Sequence, residues 1–206
     1  MNSLVNSLIE QGYLKTSEII DAFANIERIE FVPEELESEA NVNIPLPIGH
    51  GQTISQPLTV AIMLELLNPQ KNQNILDVGS GSGWTTALLA YIVGPKGKVT
   101  GVERIKELAE LAQRNVNKFG FIDEGRVEIY NSDGSLGLEK NAPYDRILVS
   151  AMAEEVPQAL KRQLKIKGKM VIPVNNTIWY LEKKGENEFY KEEFSGFNFV
   201  PLVVKG

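Results

Sequence analysis

Beginning at Asn74, short apolar runs rich in β-branched residues trade places with longer segments in which apolar positions recur every three or four residues. The first pattern fits strands buried on both faces and the second fits amphipathic helices, so their alternation predicts a parallel sheet with crossover helices. The spacing predicts a strand at Asn74–Val78 (NILDV), a glycine loop at residues 79–83, and a helix over Trp84–Val93 that Gly94 and Pro95 stop. A second strand at Lys98–Glu103 (KVTGVE) leads to a helix over 106–119, with Leu108, Leu111, Ala112 and Val116 on one face. Strands follow at 127–130, 146–150 and 169–174, with a helix at 156–164 before the last. Asn175 and Asn176 then read as the turn of a hairpin returning through 178–181, and a final strand is expected near 197–204.

Upstream, residues 4–11 and 17–26 read as two amphipathic helices whose Leu4, Leu8, Ile19, Ile20, Phe23 and Ile26 pack into a core. Between them and the first strand lies residues 44–57, IPLPIGHGQTISQP, with three prolines and two glycines. It has too little periodicity for either regular element and is expected to be an ordered loop, the kind of segment that carries function on a rigid scaffold. A helix over 58–67 follows it.

Composition narrows the chemistry. The chain of 206 residues has no cysteine and one histidine, His50. Thiolate nucleophiles, disulfides and Cys-ligated metals are excluded, and no metal site is expected. Flanked by two glycines, His50 reads as a plain loop residue. The net charge of −6 argues against a partner bound mainly through phosphates. The charged clusters at 34–39 and 183–193 read as solvated surface. The longest apolar run, residues 87–93 (ALLAYIV), is far short of the ~18 residues of a membrane span, and the N-terminus has no positive run of a signal peptide. A cytoplasmic monomer of one domain, with no membrane partner, is expected.

The glycine loop G-S-G-S-G runs from a strand end into a helix, where a ligand can approach backbone N–H groups unobstructed by Cβ. Its spacing differs from the dinucleotide G-x-G-x-x-G, and alone it is equally a tight turn. Three acids add to it: Asp77 before the loop, Glu103 ending the second strand, and Asp133 after the third. An acid at the end of the second strand can accept both ribose hydroxyls of a nucleoside, so the trio suggests an adenosine-type pocket. Trp84, just past the loop, reads as helix packing.

In order along the chain, LDVGSGSG, VE and SDG resemble the motifs of class I S-adenosylmethionine-dependent methyltransferases. QTISQP, with ERIEFVP, APYDRILV, VPQALKRQL and FVPLV, further resembles the protein-L-isoaspartate O-methyltransferase family over nearly the whole chain from about residue 17. The resemblance implies an α/β fold: a three-layer, doubly wound, mostly parallel seven-stranded sheet with N-terminal helices. It implies a single domain over 1–206, residues 1–68 giving helices and substrate loop and 69–206 the cofactor-binding sheet and C-terminal strands. It implies that S-adenosylmethionine is consumed and S-adenosylhomocysteine released, and that isoaspartyl peptides and proteins are the partners. The family's active-site serine falls on Ser55. Its cofactor contacts fall on Gln52, Thr53, Ile54 and Ser55, on Asp77, Gly79, Ser80, Gly81 and Gly83, on Glu103, and on Asp133 and Gly134. The sequence departs from the common pattern at Asn175, at residues 150–154 (SAMAE) and at the stretch before FVP, which bear on local loop shape.

The shortage of His then acquires a meaning. An isoaspartyl α-carboxylate titrates near ~3.5 and is already ionised at neutral pH, so its attack needs no base. Ser55 would position it by a hydrogen bond. The residues also leave open an RNA or small-molecule methyltransferase and a non-catalytic relative that keeps the pocket; the acidic balance disfavours the nucleic-acid reading.

Overall fold

The computed structural model describes residues 3–202. Two helices, α1 (Ser3–Glu10) and α2 (Ser17–Asn25), precede a short antiparallel pair, β1 (Leu46–Gly49) and β2 (Gln52–Ile54), and helix α3 (Pro57–Leu67). The alternating part follows: β3 (Asn74–Val78), α4 (Trp84–Val93), β4 (Lys98–Glu103), α5 (Lys106–Asn117), β5 (Val127–Asn131), β6 (Tyr144–Val149), α6 (Gln158–Gln163) and β7 (Leu164–Val174). The chain closes with β8 (Thr177–Lys183) and β9 (Phe189–Ser195).

Strands three to nine form one sheet in the order β5-β4-β3-β6-β7-β8-β9. The pairs from β5 to β7 are parallel and those of β8 with its neighbours antiparallel. This is the mostly parallel seven-stranded sheet expected. Alternate residues of its strands feed two cores: Ile75, Leu148 and Val171 face the larger, and Leu76, Ile147 and Met170 the smaller. Buried residues of α1 to α5 join the larger core, while Leu160 of α6 joins the smaller, which gives three layers. Because both faces are covered, the central strands read as continuous apolar runs.

Local chemistry sets the ends. Pro57 occupies the first turn of α3, where its missing N–H costs nothing, and Asn68 ends that helix in the left-handed region at φ 49°. Asn175 and Asn176 make the β7–β8 turn at φ 46° and 61°, both positive as a two-residue hairpin turn requires.

Two expectations change. Residues 44–57 are not loop throughout, since β1 and β2 pair Leu46 with Ile54 and Pro47 with Thr53. Strands of four and three residues are too short to show a period, and the turn between them takes three successive positive φ values, Gly49 at 88°, His50 at 53° and Gly51 at 69°. The exposed His50 sits at that turn, as a loop residue should. The last strand is β9, not 197–204. Phe189–Ser195 is mostly exposed at the sheet edge and so carries Lys191, Glu192 and Glu193 where a buried strand would carry apolar residues. Residues 197–200 run in no regular element, and an isolated bridge joins Pro201 to Met152; positions 203–204 of the expected strand lie outside the described residues. The charged residues at 34–39 form a short 3-10 turn with none of its residues buried.

Candidate active site

The strand order reverses between β3 and β6, and an open α/β sheet has its natural crevice there, beyond the carboxyl ends of the strands. A cavity enclosing about 860 Å³ of empty space, the open solvent of its mouth included, lies at this place. Its floor is Val78, Gly79, Ser80, Gly81 and Ser82 from the glycine loop; Glu103 to Ile105 form one side, Ser150 and Ala151 another, and Gln52 to Ser55 a third.

The loop is tied into the sheet by its own backbone. Gly79 and Ser80 donate their N–H groups to Val102 O (2.8 and 3.3 Å), and Gly83 donates to Ser80 O (2.8 Å). Gly81, at φ 54°, leaves only 3.3 Å between a built Cβ and Ile48 of β1, so the hairpin rests directly on the loop. Gly83, at φ 97°, brings the start of α4 against α5, where a Cβ would come within 2.9 Å of Val116.

Glu103 is buried at the end of β4, and its carboxylate accepts N–H bonds from Gly81 (3.0 Å) and Ile105 (2.9 Å), one on each oxygen. Each oxygen retains capacity for another donor. Asp77 lies fully buried behind the loop. Its Oδ2 accepts the hydroxyls of Thr85 (2.8 Å) and Thr86 (2.6 Å), and its Oδ1 has no partner. Burial pushes its pKa up to about 6, the Thr hydroxyls opposing and Glu103 adding to the shift. The Ser80 and Ser82 hydroxyls are buried without partners too. Unpartnered polar atoms beneath a glycine floor, beside a carboxylate pair, suit a polar and cationic ligand with ribose hydroxyls. S-adenosylmethionine has those groups, so the residues present fit it.

Of the positions expected to touch a cofactor, Gln52, Thr53, Ile54, Ser55, Gly79, Ser80, Gly81, Glu103 and Gly134 share the cavity wall. Asp77, Gly83 and Asp133 do not line it. Asp77 braces the loop from beneath, Gly83 serves helix packing, and Asp133 accepts the Ser135 N–H (2.9 Å) and hydroxyl (2.7 Å) as the cap of a 3-10 turn. Trp84 packs as expected: its ring meets Phe23 edge-on at 5.5 Å and its Nε1 donates to Ile26 O (3.2 Å), though one edge also lines the cavity. Wall residues Ser82 and 200–202 lie within LDVGSGSG and FVPLV but are not among the positions expected to touch a cofactor, and Ser150 and Ala151 lie at a departure from the common pattern; residues 200–202 arrive because Met152 N donates to Val200 O (2.8 Å) and Leu202 N to Met152 O (2.7 Å).

A second cavity adjoins the first and shares Thr53, Ser55, Ser150 and Val200 with it. The rest of its wall is uncharged, including Pro45, Thr59, Phe197, Asn198 and Phe199. Ser55 therefore stands at the partition between the two cavities.

A parallel sheet with a reversal at β3 and β6, a glycine loop at that point and an acid ending the neighbouring strand define the class of S-adenosylmethionine-dependent methyltransferases with a Rossmann-like fold. A model of the protein-L-isoaspartate(D-aspartate) O-methyltransferase family matches residues 1–206. The protein-L-isoaspartate O-methyltransferase of Methanopyrus kandleri is 46% identical over 204 residues, 97% of this chain and 89% of that one. Protein-L-isoaspartate O-methyltransferase 1 of Archaeoglobus fulgidus is 44% identical over 191 residues, 92% and 87% of the two chains. A Plasmodium falciparum crystal structure, described as a protein-L-isoaspartate O-methyltransferase in complex with S-adenosyl-L-homocysteine, superposes with a TM-score of 0.88 at 25% identity, covering 98% of this chain and 97% of that one. The chain belongs to the protein-L-isoaspartate(D-aspartate) O-methyltransferase family.

Proposed function

We propose that the chain methylates the α-carboxylate of L-isoaspartyl residues in damaged proteins, drawing the methyl group from S-adenosylmethionine and leaving S-adenosylhomocysteine. The observation that carries this reading is the place of Ser55, on the wall shared by the cavity over the glycine loop and the uncharged chamber. When bound, the cofactor supplies an electrophilic methyl group on a sulfonium.

The chain's own residues bind, orient and exclude water. Glu103 accepts the ribose hydroxyls, while Gly79, Ser80 and Gly81 let the ligand lie close on the backbone. Asp77 and Asp133 act behind that surface, by bracing the loop and by shaping the turn that carries Gly134. The Ser55 hydroxyl donates a hydrogen bond to the substrate carboxylate and aims one of its oxygens. No base is asked for, since that carboxylate, with a pKa near ~3.5, arrives ionised. Orientation and removal of water supply the rate enhancement, because two opposite charges are dispersed as the bond forms. In the methyl ester the following backbone nitrogen then attacks the ester carbonyl; a C–N bond forms as the C–OCH3 bond breaks, methanol leaves with the nitrogen's proton, and a succinimide is closed.

The partners are isoaspartyl peptides and proteins, met by a cytoplasmic monomer without nucleic acid or membrane. In support, the net charge is −6, and among the described residues no helix is long and apolar enough to cross a membrane. Methyl-labelled S-adenosylmethionine should label an isoaspartyl peptide and spare its aspartyl twin. Equal labelling of both, or of neither, overturns the proposal.

A further inference from the structure

Arg28 opens the 3-10 turn Arg28–Phe31 and is only 3% exposed. Among the described residues, all the hydrogen bonds its side chain makes run to one segment, the one that ends at Ser55. Nη1 donates to the carbonyls of Ala40 (3.1 Å) and Val42 (3.3 Å); Nη2 donates to those of Ile44 (2.9 Å), Ile54 (3.4 Å) and Ser55 (3.1 Å). Nε has no partner, and among the described residues no carboxylate forms an ion pair with this guanidinium. Its charge is met instead by carbonyl dipoles and by the ring of Trp84, whose centroid lies 5.5 Å away.

A buried cation without a counter-ion is a costly way to fill space. Nor is it needed to hold its own turn, because Phe31 stacks on Phe119 at 5.8 Å with the rings 1° from parallel. What the guanidinium does, and an apolar side chain could not, is join carbonyls from both ends of residues 40–55. The hairpin inside that stretch has only three residue pairs of its own. A planar fork of five donors suits this task, whereas an ammonium offers a single point of attachment.

We infer that Arg28 is a positioning residue, which holds the carbonyls of Ile54 and Ser55 and thereby fixes the Ser55 hydroxyl between the two cavities. The inference rests on the role given to Ser55 above. Without the fork, the loop keeps its sequence and its hairpin but loses its fixed distance from Trp84 and the cofactor floor. A displacement of about 1 Å at a reacting group can cost on the order of 100-fold in rate.

The experiment compares Arg28→Lys, which keeps the charge and removes the fork, with Phe31→Leu, which weakens the same turn on its far side. For Arg28→Lys, amide hydrogen exchange at residues 52–55 should rise roughly tenfold, and kcat for an isoaspartyl peptide should fall by up to about tenfold, no more than when the Ser55 hydroxyl is removed, while the Kd of S-adenosylhomocysteine moves less than about twofold. Phe31→Leu should lower the melting temperature yet leave kcat and that local exchange as in the wild type. Arg28→Gln is carried in parallel and replaces the lysine variant if the latter does not fold. Wild-type kcat and exchange in the Arg28 variant, the same losses in Phe31→Leu, or a cofactor affinity that falls as far as kcat would overturn the inference. A wild-type chain that methylates no isoaspartyl peptide overturns the functional reading instead, and the exchange comparison then decides by itself whether Arg28 holds the loop.

Discussion

The cofactor floor and the serine loop face each other across one cavity, yet they are held in different ways. The floor is an extension of the sheet: Gly79 and Ser80 bond to Val102, Ser150 N bonds to Val78 O (2.8 Å), and three parallel strands fix the positions of all of them. Backbone bonds of this kind survive most side-chain changes. The serine loop has a hairpin of three residue pairs, and beyond it depends on individual side chains. Arg28 reaches five of its carbonyls, and Asn43 Oδ1 accepts the Leu58 N–H (3.0 Å) where the loop enters α3. The side of the site that binds the invariant reactant is thus built from repeating structure. The side proposed to face a varied protein substrate is built from a few individual ties.

If that division is right, damage to the floor should appear first as lost cofactor affinity. The largest effect expected is for Glu103→Ala. Removing a carboxylate that takes two N–H bonds and is assigned the ribose hydroxyls should cost about 3–4 kcal/mol, or some 100-fold or more in S-adenosylhomocysteine affinity, measurable by calorimetry. The KM for peptide at saturating cofactor should change little. An affinity within about fivefold of wild type would mean that the cradle is not organised around Glu103.

Asp77 sharpens the comparison through pH. Its pKa is raised from a usual 3.8 to about 6 by burial, so the folded protein holds this proton to higher pH than the unfolded chain does. The stability linked to it is present below about pH 4 and is lost as pH rises through about 6, a loss on the order of 3 kcal/mol. Relative to wild type, ligand-free Asp77→Asn should therefore gain roughly that much stability between acid and neutral pH, since an amide oxygen can still accept the Thr85 and Thr86 hydroxyls. Denaturant titrations at a series of pH values measure the difference. A constant difference across the range would mean that Asp77 is not the uncompensated charge of the floor.

The same division governs what could be read from the sequence. Strands β3, β4, β6 and the core of β7, helix α4 and the Asn175–Asn176 turn announce themselves by period and by local turn chemistry, because their neighbours in space repeat at fixed intervals in the chain. Glu103 and the glycine loop are legible for that reason. Residues 44–57 stand out by composition, but their pairing does not, since strands of three and four residues leave no period to count. Arg28 is invisible as a contact: its partners lie 12 to 27 residues on and are backbone carbonyls, which have no sequence signature. Val200, Pro201 and Leu202 look like a strand by their apolar character, yet they close over the cofactor floor through Met152, and no local pattern tells burial under a sheet edge from burial against a cavity. Asp133, an acid at a strand end, also caps a turn by accepting the Ser135 N–H, a bond that its spacing alone does not announce.

The smallest effect expected, and the most direct test of the division, is Ser55→Ala. The Ser55 side chain is half-buried on the partition, so a water molecule can partly replace its hydroxyl once it is gone. The loss should therefore lie toward the low end for a hydrogen bond to an ionised acceptor, about 1.5 kcal/mol, or roughly tenfold in kcat/KM for an isoaspartyl peptide. Cofactor affinity should stay within about threefold of wild type, because the floor and Glu103 are untouched. Ser55→Thr keeps the hydroxyl and should recover part of the lost rate. These two variants separate a positioning hydroxyl from a cofactor ligand: the first role moves peptide kinetics alone, the second moves both. A Ser55→Ala chain that loses cofactor as severely as Glu103→Ala would erase the boundary between the two sides of the cavity, since the serine loop would then be part of the cofactor floor.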